Sequence, residues 1–203
     1  MNVLKDHVII NNFVQQPKNI WEIGVGQPEL CRTIPYIYAG IPVKMFEPLQ
    51  SNYIKLVKAF GKFSNANINN FALFDEDSDV VLREQGECSS IVGIKSPVIN
   101  HYGTDDAIQV PKSKIPALKI NHFDYGQIDV ALIDTEGCEW KIISSMVSRP
   151  RLICFEACMG LAGDKPYFTP NYEKILEWMK FNHYEIAYKD PSGEGDFWFY
   201  KTK

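Results

Sequence analysis

The sequence contains no apolar run long enough to span a membrane. Its first residues, Met1 to His7, lack the apolar core and small-residue cleavage site of a secretory signal. These two absences lead to the expectation of a soluble, cytoplasmic chain. A basic excess is also missing: 21 Lys and Arg stand against 25 Asp and Glu, for a net charge of -4. That balance argues against broad binding to nucleic acid or to an anionic membrane. Internal repeats and low-complexity tracts are absent. The five cysteines are odd in number, and Cys154 and Cys158 have no second Cys or His pair at zinc-finger spacing. They read as reduced, buried thiols, and no metal site is assigned.

What is present is an ordinary globular composition, 45% hydrophobic and 23% charged. Over 203 residues it suits one domain with a full core. Apolar runs of strand length alternate with helical spacing, the pattern of a mostly parallel sheet covered by helices. Helices are expected over 6–15, about 29–39, 51–60, 138–147 and 172–181. Pro35 implies a kink or late start in the second, and Leu56, Val57 and Phe60 are expected to point inward from the third. Strands are expected over 19–24, 42–47, 66–71, 80–83, 128–134 and 151–157. Two more, 184–188 and 197–200, should close as an antiparallel hairpin. Residues 84–118 keep no period and read as a lid or substrate-facing insertion.

Three strand ends carry chemistry. Glu22-Ile23-Gly24-Val25-Gly26 leaves the first strand, where glycine lets the backbone turn tightly and approach a ligand. A dinucleotide loop would place a third glycine at position 29; this chain has Glu29, so the nicotinamide fingerprint fails. Glu22 gives the loop an acid able to accept hydrogen bonds from a cationic amino-acid group. Glu47 closes the second strand, where a carboxylate can accept both ribose hydroxyls. Asp134-Thr135-Glu136-Gly137-Cys138-Glu139 follows the most apolar strand. Three acids in six positions can orient a methyl donor, accept a proton or bind a divalent cation. Glu139 fits the plainer role of favouring a helix N-terminus.

The order of these motifs, with Phe46-Glu47-Pro48, Asn69-Asn70-Phe71-Ala72-Leu73, Ser89-Ser90 and Ile153-Cys154-Phe155-Glu156, resembles the FkbM-type methyltransferase family over roughly residues 19–157. The resemblance implies a Rossmann-like class I methyltransferase fold with a mostly parallel seven-stranded sheet and an antiparallel C-terminal hairpin. It implies S-adenosyl-L-methionine as donor and S-adenosyl-L-homocysteine as product. The acceptor it implies is a hydroxyl of a sugar, glycan or small metabolite. Glu22, Gly24 and Gly26 match the family's cofactor loop, Glu47 and Pro48 its ribose side, and Asn70, Phe71 and Ala72 its adenine side. Asp134 and Glu136 match its acidic motif. Pro28 departs from the family, which has a further glycine near that position.

Methyl transfer needs alignment and, for a hydroxyl acceptor, removal of a proton. His101, His122 and Glu156 join Asp134 and Glu136 as candidates for that task. Tyr102, Tyr167, Phe168 and Tyr172 are candidates to line an acceptor pocket. Two other classes stay open: a nicotinamide-dependent oxidoreductase, and a catalytically silent nucleoside-binding relative. A small-molecule or glycan partner is expected, with neither nucleic acid nor membrane, and a homo-oligomer is left open.

Overall fold

The computed structural model describes residues 3–85, 88–94, 110–162, 165–189 and 195–203. The chain opens with helix α1 (Val3–Phe13) and strand β1 (Ile20–Ile23). A 3-10 turn (Pro28–Leu30), a short helix α2 (Ile34–Tyr38) and strand β2 (Val43–Phe46) follow. Next come α3 (Gln50–Phe60), β3 (Ala66–Asn69), β4 (Ala72–Phe74), β5 (Ser78–Arg83), β6 (Ser90–Ile91) and β7 (Lys112–Lys119). The second half holds β8 (Val130–Ile133), α4 (Glu139–Ser145), β9 (Leu152–Ala162), β10 (Lys165–Phe168), α5 (Tyr172–Phe181), β11 (Tyr184–Lys189) and β12 (Gly195–Lys201).

Seven strands form the main sheet in the order β3-β2-β1-β8-β9-β12-β11, and β10 folds back antiparallel on β9. β3, β2, β1, β8 and β9 run parallel. β12 inserts antiparallel between β9 and β11. Their central members are buried on both faces, as parallel strands under two helical layers must be. All four residues of β1 and of β8 are buried. Side-chain alternation divides the core. Trp21, Ile23, Phe46 and Ile133 face one layer, and Ile20, Val43, Met45 and Leu132 face the other.

The chain runs outward from β1 through β2 to β3, then returns to place β8 on the other side of β1. That reversal makes a topological switch point between β1 and β8, and ligands of open α/β sheets bind there. Register makes the point sharper. Ile23 pairs with Phe46 on one side and Ile133 on the other, so Gly24, Glu47 and Asp134 leave three adjacent strands at one level.

Several expectations are corrected. The helix expected over 29–39 is split, because Pro28 starts a 3-10 turn and Pro35 sits in the first turn of α2. Val57 is exposed, while Asn52 joins Leu56 and Phe60 in the buried stripe of α3. The strand expected over 66–71 ends at Asn69. The one expected over 80–83 belongs to a second, four-stranded sheet of order β4-β7-β5-β6. Within the segment 84–118, β6 and β7 are both strands of that sheet, and residues 95–109 lie outside the described residues. Among the described residues, no helix is long and apolar enough to cross a membrane.

Candidate functional site

A cavity of about 270 Å³ opens over the ends of β1, β2 and β8, close to the lower end of the usual range for small-molecule sites. Gly24 and Gly26 form its floor, and Glu47, Pro48, Asp134 and Glu136 line it. Phe71 and Ala72 line its wall beyond β3, and Leu82, Ser89, Ser90 and Ile91 close it from the second sheet. The sequence pattern gives a strand over 80–83 but not its place in a second sheet with β6, so it singles out neither Leu82 nor Ile91.

Gly24 (φ +80°) is where β1 comes closest to β8: a Cβ there would lie 1.6 Å from the carbonyl oxygen of Asp134. Gly26 (φ +70°) donates its N–H to Oε2 of Glu47 at 2.7 Å, and Leu49 donates its N–H to Oε1 at 2.9 Å. These bonds aim the Glu47 carboxylate across the loop. Burial pushes its pKa up to about 7, against those two bonds. Asn70 turns inward on the backbone instead, donating from Nδ2 to the carbonyls of Glu47 and Pro48. It fixes the turn that carries Glu47, while Phe71 and Ala72 meet the cavity.

Glu22 lies elsewhere than expected. It sits between Trp21 and Ile23, so alternation sends its side chain to the opposite face of the sheet. There it is buried and accepts from the N–H groups of Arg32 (2.8 Å) and Thr33 (3.1 Å), the Thr33 hydroxyl (2.5 Å) and the Cys31 thiol (3.4 Å). Its carboxylate ties down the strand-to-helix loop from beneath and does not line the cavity. Desolvation raises its pKa, and these donors oppose the rise.

On the β8 side, Ile133 pairs with Phe155 in β9, so Asp134 and Glu156 leave neighbouring strands together. Glu136 completes a cluster in which one carboxylate oxygen from each residue lies within 4.8 Å of the others. Glu136 adopts φ 53°, a left-handed conformation that costs a non-glycine residue energy. All three carboxyls are held above the ordinary range. Burial is the main cause for each. Asp196 comes next for Asp134, while for Glu136 and Glu156 it is Asp134. Glu139 is different. It is fully buried, accepts the N–H groups of Thr135 (3.0 Å) and Gly137 (3.2 Å), and takes hydroxyl bonds from Thr135 and Thr169. It braces the turn below α4, the structural task expected of it.

Arg32 was not singled out from the sequence, where a lone arginine in a helix-like stretch gives no signal. It is buried beneath the acidic end of the sheet, pairing with Asp6 at 2.7 Å and Asp196 at 3.0 Å. The remaining candidates disperse. His122 is half-exposed, pairs with Asp77 at 2.7 Å and does not line the cavity. Phe168 and Tyr172 stack on one another, with ring centroids 4.3 Å apart, and neither they nor Tyr167 line the cavity. His101 and Tyr102 lie outside the described residues.

No protein-family model matches the sequence, and no curated protein matches it. Solved structures do match. An rRNA methylase from Streptococcus thermophilus matches with a TM-score of 0.55 and 9% identity, covering 100% of this chain and 98% of that one. The ribosomal protein L11 methylase of Lactobacillus delbrueckii subsp. bulgaricus gives 0.52 at 10% identity, over 98% and 77%. The glycopeptide N-methyltransferase MtfA, complexed with S-adenosyl-L-methionine, gives 0.50 at 7% identity, over 98% and 85%. The fold is that of the class I methyltransferases. At these identities the likeness concerns the fold, so the chemistry must be argued from this chain's own residues.

Proposed function

We propose that the chain is an S-adenosyl-L-methionine-dependent methyltransferase acting on a hydroxyl of a sugar, glycan or small metabolite, of FkbM type. The observation that carries the reading is the convergence of Gly24, Glu47 and Asp134 on one cavity at the switch point. The residues suit the cofactor. The loop at Gly24 and Gly26 lets a ligand lie against backbone. Glu47 offers a carboxylate to a pair of ribose hydroxyls, and Phe71 with Ala72 offers an apolar wall to a flat base. When bound, the cofactor supplies an electrophilic methyl group on sulfur. Asp134 and Glu136 line the cavity and offer carboxyl groups able to hold or move an acceptor proton. The acceptor class rests on the resemblance of the acidic motif. The methyltransferases of matching fold are named for differing substrates and do not choose it.

Titration calorimetry with S-adenosyl-L-methionine, S-adenosyl-L-homocysteine and NAD tests the reading. Heat is expected with both sulfur ligands and not with NAD. No heat with either, on folded protein, overturns it. Glu47→Ala is expected to weaken S-adenosyl-L-homocysteine binding at least roughly tenfold, the scale of a charge-assisted hydrogen bond. The raised pKa of Glu47 adds a pH signature. Hydroxyl donors favour the ionised carboxylate, so affinity should fall as pH drops through about 7 and protonates it. Glu47→Gln should flatten that fall between pH 8 and 6; an unchanged pH profile would assign it to another group.

A further inference from the structure

We propose that Asp134, Glu136 and Glu156 form a binding site for a hard divalent cation beside the cavity. The spacing suits one. Octahedral ligands at 2.0–2.1 Å from a central ion lie about 3 Å apart when adjacent and about 4.2 Å when opposite, and calcium's longer bonds stretch both. The three carboxylate oxygens all fall within 4.8 Å of one another. The donor set is entirely oxygen, which selects magnesium, manganese or calcium over softer metals.

An unsatisfied side chain also points to a ligand. Glu136 is only 9% exposed, and its Oε2 has no hydrogen-bond partner among the described residues. Oε2 of Glu156 is buried and unpartnered in the same way. An orphaned buried carboxylate oxygen is costly, and native folds normally give it a donor or an ion. This fold does so one turn away, where Glu139 receives four hydrogen bonds. Local cations do not fill the gap either. Arg32 lowers the pKa of Asp134, but its Nε and Nη2 are engaged by Asp6 and Asp196, and its buried Nη1 makes no hydrogen bond to any of the three carboxylates. Three acids thus face one another with two oxygens unbonded, at the edge of a cavity that two of them line. A bound cation satisfies these oxygens together. Its use, holding an acceptor oxygen and favouring loss of its proton, rests on the methyltransferase reading. The site itself does not.

The test is an electron paramagnetic resonance titration of the full chain with Mn²⁺, no cofactor present. One Mn²⁺ per chain is expected, with Kd below about 1 mM and displacement by Mg²⁺. Glu136→Gln and Glu156→Gln keep the side-chain shape and should each weaken binding at least tenfold. Mn²⁺ should raise the unfolding temperature of the unaltered chain and leave that of the double variant unmoved. No saturable binding, or equal binding by the unaltered chain and both variants, overturns the site and leaves the three carboxyls sharing protons. The two proposals fail separately. A chain that binds S-adenosyl-L-homocysteine but no Mn²⁺ loses only the cation site. One that binds Mn²⁺ but neither sulfur ligand loses only the cofactor reading.

Discussion

Gly24→Ala is expected to cost about 4 kcal/mol or more of folding stability, enough to unfold most of the chain, while Gly40→Ala costs only about 1–2 kcal/mol. Both glycines have positive φ, +80° and +76°, so both substitutions incur the left-handed penalty of about 1–2 kcal/mol. They differ in what the new methyl group meets. At Gly40 there is nothing within 4 Å. At Gly24 the methyl would lie 1.6 Å from the Asp134 carbonyl oxygen and 2.7 Å from its carbon. Neither backbone can give way cheaply. Asp134 donates its N–H to Ile23 at 2.9 Å, and Gly24 donates its own to Phe46 at 2.9 Å. Relief means prising β1 from β8 in the centre of the sheet. That adds overpacking of about 1–3 kcal/mol and roughly 1 kcal/mol for each hydrogen bond lost. Gly26→Ala separates structure from binding. Its Cβ would meet only a Leu30 methyl at 3.5 Å, so stability should fall by about 1–2 kcal/mol for strain alone. Its larger effect should be on S-adenosyl-L-homocysteine affinity, since Gly26 lines the cavity and orients Glu47. Urea denaturation of the three variants, with calorimetry on those that fold, gives the comparison. A Gly24→Ala protein as stable as Gly40→Ala would mean that β1 and β8 are not packed as described.

The reason Gly24 is special shows what a sequence can and cannot convey. Its place in the motif was legible. The partner that makes it indispensable, the Asp134 carbonyl, is 110 residues away, and only the β1–β8 register brings them together. The central parallel strands could be read because they are short and largely apolar, Val130–Ile133 wholly so, with a single polar residue in β1 (Glu22) and in β2 (Lys44). β7 could not. Its sequence Lys112-Ser-Lys-Ile-Pro-Ala-Leu-Lys119 buries only Ile115 and Ala117, and Pro116 argues against a strand interior. Pro116 is tolerated because β4 pairs only with residues 117–119, leaving β7 a single neighbour at that point. With β7 unread, the strand expected over 80–83 had no partner to place it in a second sheet, and the part Leu82 and Ile91 play at the cavity went unread. The acidic residues were all named as candidates from their strand-end positions. That Asp134, Glu136 and Glu156 converge, while His122 stands apart on Asp77, depends on strand order, which no local pattern encodes.

Glu22→Ala should cost about 3–5 kcal/mol of stability and weaken S-adenosyl-L-homocysteine binding, although the carboxylate never reaches the cavity. The change removes the acceptor of four buried donors, stranding the N–H groups of Arg32 and Thr33 and leaving the Thr33 hydroxyl and the Cys31 thiol only each other at 3.2 Å and, for the thiol, Met45. Each unsatisfied group costs about 1–3 kcal/mol. The charge balance shifts as well, since Glu22 also lies against the buried Arg32, which Asp6 and Asp196 must then neutralise alone. Removing one member of such a buried network is typically worth about 3–5 kcal/mol. The effect on binding follows from the chain path. Residues 31–33 anchor the far end of the loop that begins at Gly24, and because Pro28 delays the following helix to Ile34, the N–H groups of Arg32 and Thr33 have the Glu22 carboxylate as their acceptor. Loosening that anchor frees Gly26, and with it the aim of Glu47. Thr33→Val, which removes only the hydroxyl donor, should reproduce a fraction of both losses. Stability measured by urea denaturation and affinity by calorimetry should therefore fall together across Glu22→Ala and Thr33→Val. The opposite pattern, with stability intact and affinity gone in Glu22→Ala alone, would return Glu22 to direct contact with the ligand. That is the role its place in the motif first suggested.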